Sequence, residues 1–380
     1  MKIIITVNTY YPLKDGVQMV TEYHAENLVK QGHEVIVFTP NYGHKNEEVY
    51  NGVKIYRVDA KTKHAFYFGD KKNYIDRILK ESKNASALIN VCTQNPMTDW
   101  CLNILNKIEC KKILYMHGMH DLRWNKKMMT GIKDLAHKIW NNVRWGIYYA
   151  LLKKYLILYD DIIQLHKFDY GYEYFLKKYD LKCKIIENAA ENVFFENKII
   201  NLKSKYAVCV ANYIPRKNQE FILKAFYKAN IDKNFGLILI GSDNGEYYRK
   251  LIQINNKLKL KYGKRNVQIL DNVSREETIR FIKNARVYLM GSKWEAFPIS
   301  IVEAMAAGIP FISTDVGCVK YMPGGIIINN EDEMAYWLEI FSENSTIRDY
   351  YGRIGNTYAI EHMSIEKKVN ELEKILEGKE

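Results

Sequence analysis

The sequence predicts an α/β protein built from two doubly wound, Rossmann-like domains. Buried strands alternate with amphipathic helices in both halves of the chain, and the alternation restarts after residues 182–190. With 380 residues, of which 47% are hydrophobic, the chain is long enough for two domains of about 150–200 residues. Each domain would be large enough to bury a core of its own.

The first half opens with a strand–helix–strand unit. The segment KIIITVNTYYP predicts a buried strand that ends at residues 6–8, and HEVIVFTP predicts a second strand. Between them, VQMVTEYHAENLVKQG places apolar residues at helical spacing and stops at Gly32. Such a unit implies a parallel sheet, to which further apolar segments add strands at 52–58, 87–93, 111–118 and 160–166.

The second half repeats this alternation. YAVCVANYIPRKNQEFILKAFYKA predicts strand, loop and helix, and later strands are predicted in FGLILIGS, VQILDNV, RVYLMGS and PFISTDVG. We therefore divide the chain into residues 1–167 and 168–361, and expect the last helix, within 362–380, to pack back on the first domain. The two domains are expected to face each other across a cleft, because open α/β sheets bind ligands beyond the carboxyl ends of their strands.

Cysteine usage and charge indicate the cellular setting and the partners. The apolar run at residues 3–7 is too short for a signal peptide or a membrane span. No C-x-x-C pair occurs, so we expect reduced thiols and a cytoplasmic protein; the cysteines are Cys92, Cys101, Cys110, Cys183, Cys209 and Cys318. The net charge of +12 favours anionic partners.

Much of the basic charge lies between Lys107 and Lys154. This stretch contains eleven Lys and Arg but only three acidic residues, and Trp124, Trp140 and Trp145 are interleaved with them. Basic and aromatic residues on one amphipathic element indicate docking on an anionic membrane surface, here the inner face of the cell membrane. A solvated helix face over an ordinary core would explain the same residues.

The segment WEAFPISIVEAMAAGIPF holds two glutamates, Glu295 and Glu303, around a predicted helix start. Ser300 to Glu303 fit the capping box S-x-x-E, with Ser300 as N-cap, and Gly308 ends the helix. A helix N-terminus also offers free N–H groups and a positive dipole end, which favour a phosphate. The capping box explains Glu303 without a ligand, whereas Glu295 has no comparable structural explanation.

A longer segment resembles a known signature. SKWEAFPISIVEAMAAGIPFISTDVG is similar to the nucleotide-sugar signature of family 4 of the retaining glycosyltransferases, which have the GT-B fold. The E-x7-E spacing, the EAMA-AG-P run and T-D-V-G match in order. Further matches follow the family's order along nearly the whole chain: NTYYPLKDGVQMVTEYHAENLVKQGHEVIVFTP, YMHG, IIENAAENVFF and CVANYIPRKNQEFILKAF. The resemblance implies an acceptor-binding first domain and a donor-binding second domain.

The resemblance also implies a role for each matching residue. Glu295 would hold hydroxyls of the donor sugar, Glu303 would bind the ribose diol, and Lys217 would neutralise the diphosphate. His117 would lie near the anomeric centre, so His117, Glu295 and Lys217 are the predicted catalytic residues. The predicted donor-binding residues, which include the backbone amides of 297–301 and a phosphate-approach loop, are Gly16, Asn212, Arg216, Lys217, Glu295, Phe297, Pro298, Ile299, Ser300, Ile301 and Glu303.

Four positions depart from the family pattern. Asn212 stands where an Arg is usual, with Arg216 as the neighbouring cation that would compensate. Gly16-Val17 replaces a glycine pair, Ala296 replaces a glycine, and Asn188-Ala189 replaces Asn-Gly. None of these departures removes Lys217, Glu295 or Glu303, so they concern the phosphate contacts.

Other classes of site are disfavoured by the motifs. His117 and His120 form H-x-x-H, but no Cys or carboxylate cluster accompanies them, so we expect no metal site. No GxGxxG follows a strand and no GxxxxGK occurs, which argues against a dinucleotide oxidoreductase and a P-loop NTPase.

The sequence therefore predicts a retaining, metal-independent glycosyltransferase. It would move a sugar from a nucleotide-diphosphate sugar, UDP rather than GDP, to a hydroxyl of a glycan or lipid-linked acceptor in cell-surface polysaccharide synthesis. We expect no cofactor beyond the donor co-substrate, and no nucleic acid partner. The alternatives are a nucleotide-sugar epimerase of the same fold, which should carry further acid/base residues, and a non-catalytic partner subunit of a transferase.

Overall fold

The chain forms two compact units. The computed structural model describes residues 1–63, 66–124, 131–196, 205–242 and 245–379. Unit 1 comprises Met1–Glu187 and Ile365–Glu380, and unit 2 comprises Asn188–Ser364. The sequence placed the boundary after residue 167, whereas contacts place it after Glu187, because a last short strand still pairs within the first sheet.

Unit 1 is built around a mostly parallel sheet. Its strands are β1 (Lys2–Thr6), β2 (Glu34–Pro40), β3 (Glu47–Tyr50), β4 (Val53–Val58), β5 (Ala60–Lys63), β6 (Phe66–Gly69), β7 (Ala87–Val91), β8 (Lys111–Tyr115), β9 (Asp161–Gln164) and β10 (Lys184–Ile185). Its first helices are α1 (Gly16–Lys30), α2 (Lys71–Ser82), α3 (Pro96–Asp99), α4 (Ile132–Leu156) and α5 (Tyr170–Tyr174).

The strand order of this sheet is β10-β9-β8-β7-β1-β2-β4-β3. Strand β3 alone pairs antiparallel within it, and β5 and β6 form a separate antiparallel hairpin. Neither β3 nor the hairpin was predicted. Their sequences, EEVY, AKTK and FYFG, are mostly exposed, so no buried run or regular alternation marks them as strands.

Unit 2 is built around a second, fully parallel sheet. Its strands are β11 (Tyr206–Val210), β12 (Gly236–Gly241), β13 (Asn266–Asp271), β14 (Val287–Met290), β15 (Phe311–Thr314) and β16 (Gly325–Ile328). Its helices are α6 (Gln219–Lys228), α7 (Glu246–Tyr262), α8 (Arg275–Asn284), α9 (Ile299–Ala306), α10 (Glu331–Glu343) and α11 (Ser345–His362). The order β13-β12-β11-β14-β15-β16 is that of a doubly wound sheet.

The last helix, α12 (Ile365–Glu377), belongs to unit 1. It packs against α1, where Gln31 Nε2 donates to Asn370 Oδ1 at 2.9 Å. Val369 is fully buried and Leu372 is 1% exposed. The structure thus places the end of the chain on the N-terminal unit, as the sequence suggested.

The cysteines serve as packing residues. All six lie within the described residues and none forms a disulfide bond; Cys101, Cys183, Cys209 and Cys318 are buried. Burial raises the pKa of the Cys101 and Cys209 thiols to about 12, so these thiols remain protonated and unreactive.

Candidate active site

Two loops of unit 2 meet at the carboxyl edge of its sheet. They follow β11 and β14, which are neighbours in the strand order. Lys293 N donates to Arg216 O at 2.9 Å, and Asn218 Nδ2 donates to Gly291 O at 3.1 Å. The loops are therefore held together by their own backbones, and side chains carried by both face a common region.

The central contact between these loops joins two predicted catalytic residues. Lys217 Nζ lies 2.6 Å from Glu295 Oε1, and Ser292 Oγ donates to the same oxygen at 2.7 Å. Glu295 is 8% exposed, so the attraction between the two charges is screened less by solvent and salt than it would be in an exposed pair. The pair places an ammonium and an oriented carboxylate side by side.

Gly317 supports the Glu295 loop from behind. A Cβ at this position would lie 2.4 Å from Ala296 O and 2.5 Å from Glu295 O, and the φ angle of Gly317 is +54°. Only glycine allows the two backbones to approach this closely. The sequence matched T-D-V-G to the family pattern but assigned Gly317 no role; its signal was a glycine directly after a predicted strand.

The start of α9 differs from the prediction. Pro298 is the N-cap, its carbonyl accepts from Ile301 N at 3.1 Å, and no side chain caps this end. Ser300 lies inside the helix and its hydroxyl hydrogen-bonds Tyr288. The predicted Ser300–Glu303 capping box is therefore wrong, because Pro298, whose φ is already near the helical value, begins the helix earlier.

An uncapped helix start has a chemical consequence. The first N–H groups of a helix have no partner within it, and they carry the positive end of the helix dipole. With no side chain capping α9, these amides suit an anionic ligand such as a phosphate. A complete capping box does occur in the same unit, between Ser274 and Glu277 at the start of α8.

Glu303 forms an ion pair with Arg275 and not the capping box with Ser300 that its motif indicated. It is 3% exposed, and Arg275 Nη2 donates to its Oε1 at 2.5 Å. The same guanidinium contacts Glu191 Oε1 at 2.5 Å and lies 5.3 Å from the ring centroid of Phe194. Burial raises the pKa of Glu303, and the Arg275 charge opposes that rise.

Sequence reasoning missed Arg275 as a member of this site. Arg275 begins α8, which lies far along the chain from both Glu191 and Glu303, and no local pattern joins the three. Glu191 stands within the matched segment IIENAAENVFF, which was the available signal for it.

The other residues of unit 2 that the sequence predicted to bind the donor have different surroundings. The Arg216 guanidinium lies 5.1 Å from the ring centroid of Trp294, beside the Lys217 loop. Asn212 is exposed, and its Oδ1 accepts from Ser242 Oγ at 2.8 Å. Asn188 Nδ2 donates to Phe297 O at 2.9 Å and fixes that carbonyl. The side chains of Phe297 and Ile301 are buried. These two residues could therefore contact a ligand only through their backbone.

His117 and Gly16 lie in unit 1. His117 follows β8, and its ring stacks on Tyr115 with centroids 4.6 Å apart. Burial lowers the pKa of His117 to about 3, so the imidazole is neutral at physiological pH. Its Nε2 is buried and has no hydrogen-bond partner among the described residues. Gly16 is the first residue of α1, behind the N-cap Asp15.

The second histidine of the H-x-x-H motif has a partner outside the motif. His120 Nε2 lies 3.1 Å from Asn142 Oδ1 and is thereby engaged within unit 1. In the described ranges of the chain, no three His, Cys, Asp or Glu side chains group as metal ligands.

Comparison with known proteins gives matches along most of the chain. The family described as Glycosyltransferase Family 4 matches residues 14–157, and Glycosyl transferases group 1 matches residues 191–332. An uncharacterized glycosyltransferase of Methanocaldococcus jannaschii is 28% identical over 259 residues, which span 64% of this chain and 58% of that protein. A second uncharacterized glycosyltransferase of that organism is 23% identical and aligns over 99% of this chain and 98% of its own length.

Solved structures agree on the architecture. Sucrose-phosphate synthase from Thermosynechococcus elongatus superposes with a TM-score of 0.74 at 14% identity, covering 99% of this chain and 98% of that one. Anabaena HepE in complex with UDP-glucose gives 0.71 at 13% identity over 100% of both chains. The fold is the two-domain, Rossmann-like GT-B fold, which confirms the predicted fold class. The family matches and relatives support a GT-B glycosyltransferase that is similar to family 4.

Proposed function

We propose that this chain is a retaining, metal-independent glycosyltransferase that takes its sugar from a UDP-sugar. The sugar would pass to a hydroxyl of a glycan or lipid-linked acceptor, in the cytoplasm and in the synthesis of a cell-surface polysaccharide. The donor would bind unit 2 and the acceptor unit 1. HepE, which has the same fold, was solved with UDP-glucose, and this supports the choice of UDP.

The Lys217–Glu295 pair is the observation that carries this proposal. Lys217 Nζ lies 2.6 Å from Glu295 Oε1 at the carboxyl edge of the unit 2 sheet, and Glu295 stands on the loop that leads into α9. In open α/β sheets this edge is where ligands bind. An ammonium, an oriented carboxylate and uncapped helix amides together suit a ligand with sugar hydroxyls at one end and a diphosphate beside them.

The roles of these groups follow from where charge develops. As the glycosidic bond breaks, the leaving diphosphate gains negative charge, which Lys217, the α9 amides and Arg216 would stabilise. Glu295 would hold sugar hydroxyls, and Glu303 the ribose diol. Positive charge supplied by the protein would replace a divalent metal. Since the His117 imidazole is neutral, it would position groups near the anomeric carbon by hydrogen bonding and would not act as a general acid.

In the retaining reaction, the acceptor hydroxyl would approach on the face that the diphosphate leaves. The bond between the anomeric carbon and the phosphate oxygen would break as the acceptor oxygen bonds to that carbon. The departing phosphate oxygen would accept the proton of the acceptor hydroxyl. NMR of the product tests this directly, since the anomeric configuration of the donor should be preserved. An inverted product would exclude the retaining mechanism.

Donor binding and turnover test the whole proposal. UDP-sugars should raise the unfolding temperature and release UDP, because a ligand of the native state stabilises it. Lys217→Met and Glu295→Gln should each lower turnover by about 100-fold or more, the size expected for losing a group that acts in the transition state. Lys224→Met, which removes a half-buried i,i+4 pair with Glu220 on α6, is the matched control and should leave turnover unchanged.

The outcomes separate the alternatives. If neither UDP- nor GDP-sugars bind or turn over, the enzyme proposal fails and a partner subunit is favoured. If the donor is converted to another sugar nucleotide without transfer or hydrolysis, the chain is an epimerase. Full activity of Lys217→Met would overturn the site assignment.

A further inference from the structure

Helix α4 exposes a row of large apolar side chains along its length. Ile132 is 87% exposed, Trp140 64% and Leu151 60%. At 3.6 residues per turn, the whole row falls within roughly 160° of the helix circumference. We call this row the α4 apolar face; its members are Ile132, Leu135, Ile139, Trp140, Val143, Ile147 and Leu151.

The other side of α4 holds the helix on unit 1. Tyr149, Leu152 and Leu156 are each 1–2% exposed and belong to the unit 1 core. A surface helix of a soluble domain normally has one apolar stripe, which faces the core. Helix α4 has that stripe and a second one that faces outward, and packing against the described residues of unit 1 does not explain the second stripe.

Cations border the α4 apolar face. The segment IKDLAHKIWNNVRWGIYYALLKKYL contains a single acid, Asp134, among several Lys and Arg. Arg144 packs at 4.1 Å over the ring of Trp145, and Lys153 and Lys154 are exposed at the C-terminal end. Their long side chains can cover apolar surface while keeping the charge in a polar layer.

A small apolar cavity opens beside this face. It has a volume of about 210 Å³ and is lined by Leu102, Tyr148, Leu151, Leu152, Lys154 and Tyr155. Its walls are mostly hydrocarbon and aromatic, and the ammonium-bearing Lys154 belongs to its lining. Hydrocarbon next to a cation matches an acyl chain joined to a phosphate headgroup.

The charge around the α4 apolar face indicates which partner would cover it, a second copy of this chain or a lipid bilayer. A second copy of α4 would bring two basic surfaces together, and like charges at an interface oppose association. An anionic bilayer supplies both apolar chains and negative headgroups. Within the described residues, no helix is long and apolar enough to cross a membrane, so the fitting mode is a helix lying in the interface.

We propose that α4 docks this chain on an anionic lipid bilayer, with the α4 apolar face toward the acyl chains. Arg144, Lys153 and Lys154 lie among the headgroup phosphates. The sequence assigned membrane docking to residues 107–154; the structure narrows it to one face of one helix, and residues 125–130 of that stretch lie outside the described ranges. Docking of this kind does not require that the chain transfer sugar.

Vesicle sedimentation tests the docking without any nucleotide sugar. The full chain should sediment with vesicles of phosphatidylcholine and phosphatidylglycerol, and at least about tenfold less with phosphatidylcholine alone. High salt should reduce sedimentation with the anionic vesicles, because it screens the headgroup charge.

Two sets of substitutions on α4 separate the apolar and the ionic contributions. Each set should lower the fraction of the chain that binds anionic vesicles about tenfold. Because the replaced residues are not part of the core, circular dichroism should show unchanged folding. The apolar set is Ile139→Ser, Trp140→Ser and Ile147→Ser. The ionic set is Arg144→Gln, Lys153→Gln and Lys154→Gln.

Matched controls remove the same number of large apolar or cationic side chains from other exposed positions. They should bind vesicles as the unmodified chain does. The apolar control is Val49→Ser, Leu260→Ser and Tyr336→Ser, and the ionic control is Lys257→Gln, Lys261→Gln and Lys264→Gln.

Three results would overturn the proposal. They are equal sedimentation with neutral and anionic vesicles, unchanged binding of both α4 sets, and a loss in the controls as large as in the α4 sets. If the chain does not bind vesicles but forms dimers, and the apolar set of substitutions dissociates those dimers, the α4 apolar face serves self-association instead.

Discussion

At the scale of single residues, the candidate site pairs each buried carboxylate with a cation. Glu295 is held by Lys217, and Glu303 shares Arg275 with Glu191. Burial alone favours the neutral form of a carboxyl group, and a hydrogen-bonded cation restores the charged form. Arg275 therefore acts as a positioning residue, since its charge opposes the rise that burial causes in the pKa of Glu303 and its guanidinium fixes the carboxyl group in orientation.

Replacing Arg275 by Met should weaken UDP binding about tenfold and make it depend on pH. Without the guanidinium, burial acts unopposed and raises the pKa of Glu303 further. Affinity should then fall as the pH is lowered through that raised pKa, because the protonated carboxyl accepts the ribose hydroxyls less well. Calorimetric titration with UDP across a pH series measures both effects.

Arg280→Met is the control for this substitution. Arg280 lies on the same helix, α8, and pairs with Glu276 at an exposed position. UDP affinity of the control should match that of the unmodified chain. A pH-independent affinity in Arg275→Met would contradict the positioning role.

At the scale of elements, the conformation of the proposed donor-binding loop depends on the neighbouring loop. The loop after β14 carries Glu295, and the loop after β15 presses Gly317 against its backbone. The geometry of Glu295 is thus determined by two adjacent strands and not by its own segment alone.

Gly317→Ala should therefore impair donor binding more than it impairs folding. The added Cβ would lie 2.4 Å from Ala296 O, in a residue whose φ is +54°, so the Glu295 loop must shift. We expect a stability loss of about 1–3 kcal/mol and a loss of UDP-sugar binding of at least tenfold. Denaturant unfolding and calorimetry measure the two; Gly146→Ala, where a Cβ meets nothing within 4 Å, is the control and should bind donor normally.

Asp99 connects three elements of unit 1 and predicts a pH effect on stability. Its carboxylate accepts from Tyr67 Oη on β6 and Tyr148 Oη on α4, each at 2.7 Å. Burial raises the pKa of Asp99 from 3.8 to about 6, against these hydrogen bonds. Between those values the folded state holds a proton that the unfolded state has lost, so the contribution of Asp99 to stability falls as the pH rises through this window.

Asp99→Asn removes this titration. The stability of Asp99→Asn relative to the unmodified chain should increase as the pH rises from about 4 to about 6, and stay constant above that range. Denaturant unfolding at several pH values measures the difference. Asp76→Asn, on the exposed side of α2, is the control, and a flat difference for Asp99→Asn would refute the raised pKa.

At the scale of the whole molecule, the chain leaves unit 1, builds unit 2 and then returns. Helix α12 completes unit 1 by burying apolar side chains beside α1. Lys111 Nζ donates to the carbonyl of Ile375, and His33 Nε2 lies 2.8 Å from Glu373 Oε1, so polar contacts also secure the helix.

Leu372→Ala should destabilise unit 1 in particular. Leu372 is 1% exposed, and its truncation leaves a cavity that costs about 2–5 kcal/mol. Hydrogen exchange should accelerate in α1, β1 and β2, while β11 and β12 of unit 2 keep their protection. Ile360→Ala, at a position 50% exposed on α11, should change neither; faster exchange confined to unit 2 would contradict the assignment of α12.

The parts of the fold that the sequence predicted are those with a strong hydrophobic pattern. Strands such as β1 and β12 are buried runs, and their alternation with helices determined the class. Strand β3 and the β5–β6 hairpin lack such a run. The S-x-x-E pattern at Ser300 suggested a cap, but Pro298 competes for the same helix start; the pattern at Ser274 formed the cap.

The site shows the same division. Glu295, Lys217 and Glu303 could be placed because their motifs are local in sequence. Arg275 could not, since its partners Glu191 and Glu303 are brought to it only by tertiary packing. Exposure of the α4 apolar face also depends on packing, because a helix with apolar residues on two sides does not reveal which side the core covers.

The return of α12 to unit 1 has a consequence for synthesis on the ribosome. At about 5–20 residues per second, the 188–364 segment takes roughly 9–35 s to translate, and during that time unit 1 lacks its closing helix. A stop codon just before Ile365 would leave every residue of unit 2 in place. The nascent product would nonetheless be defective at its opposite end, in the unit that was translated first.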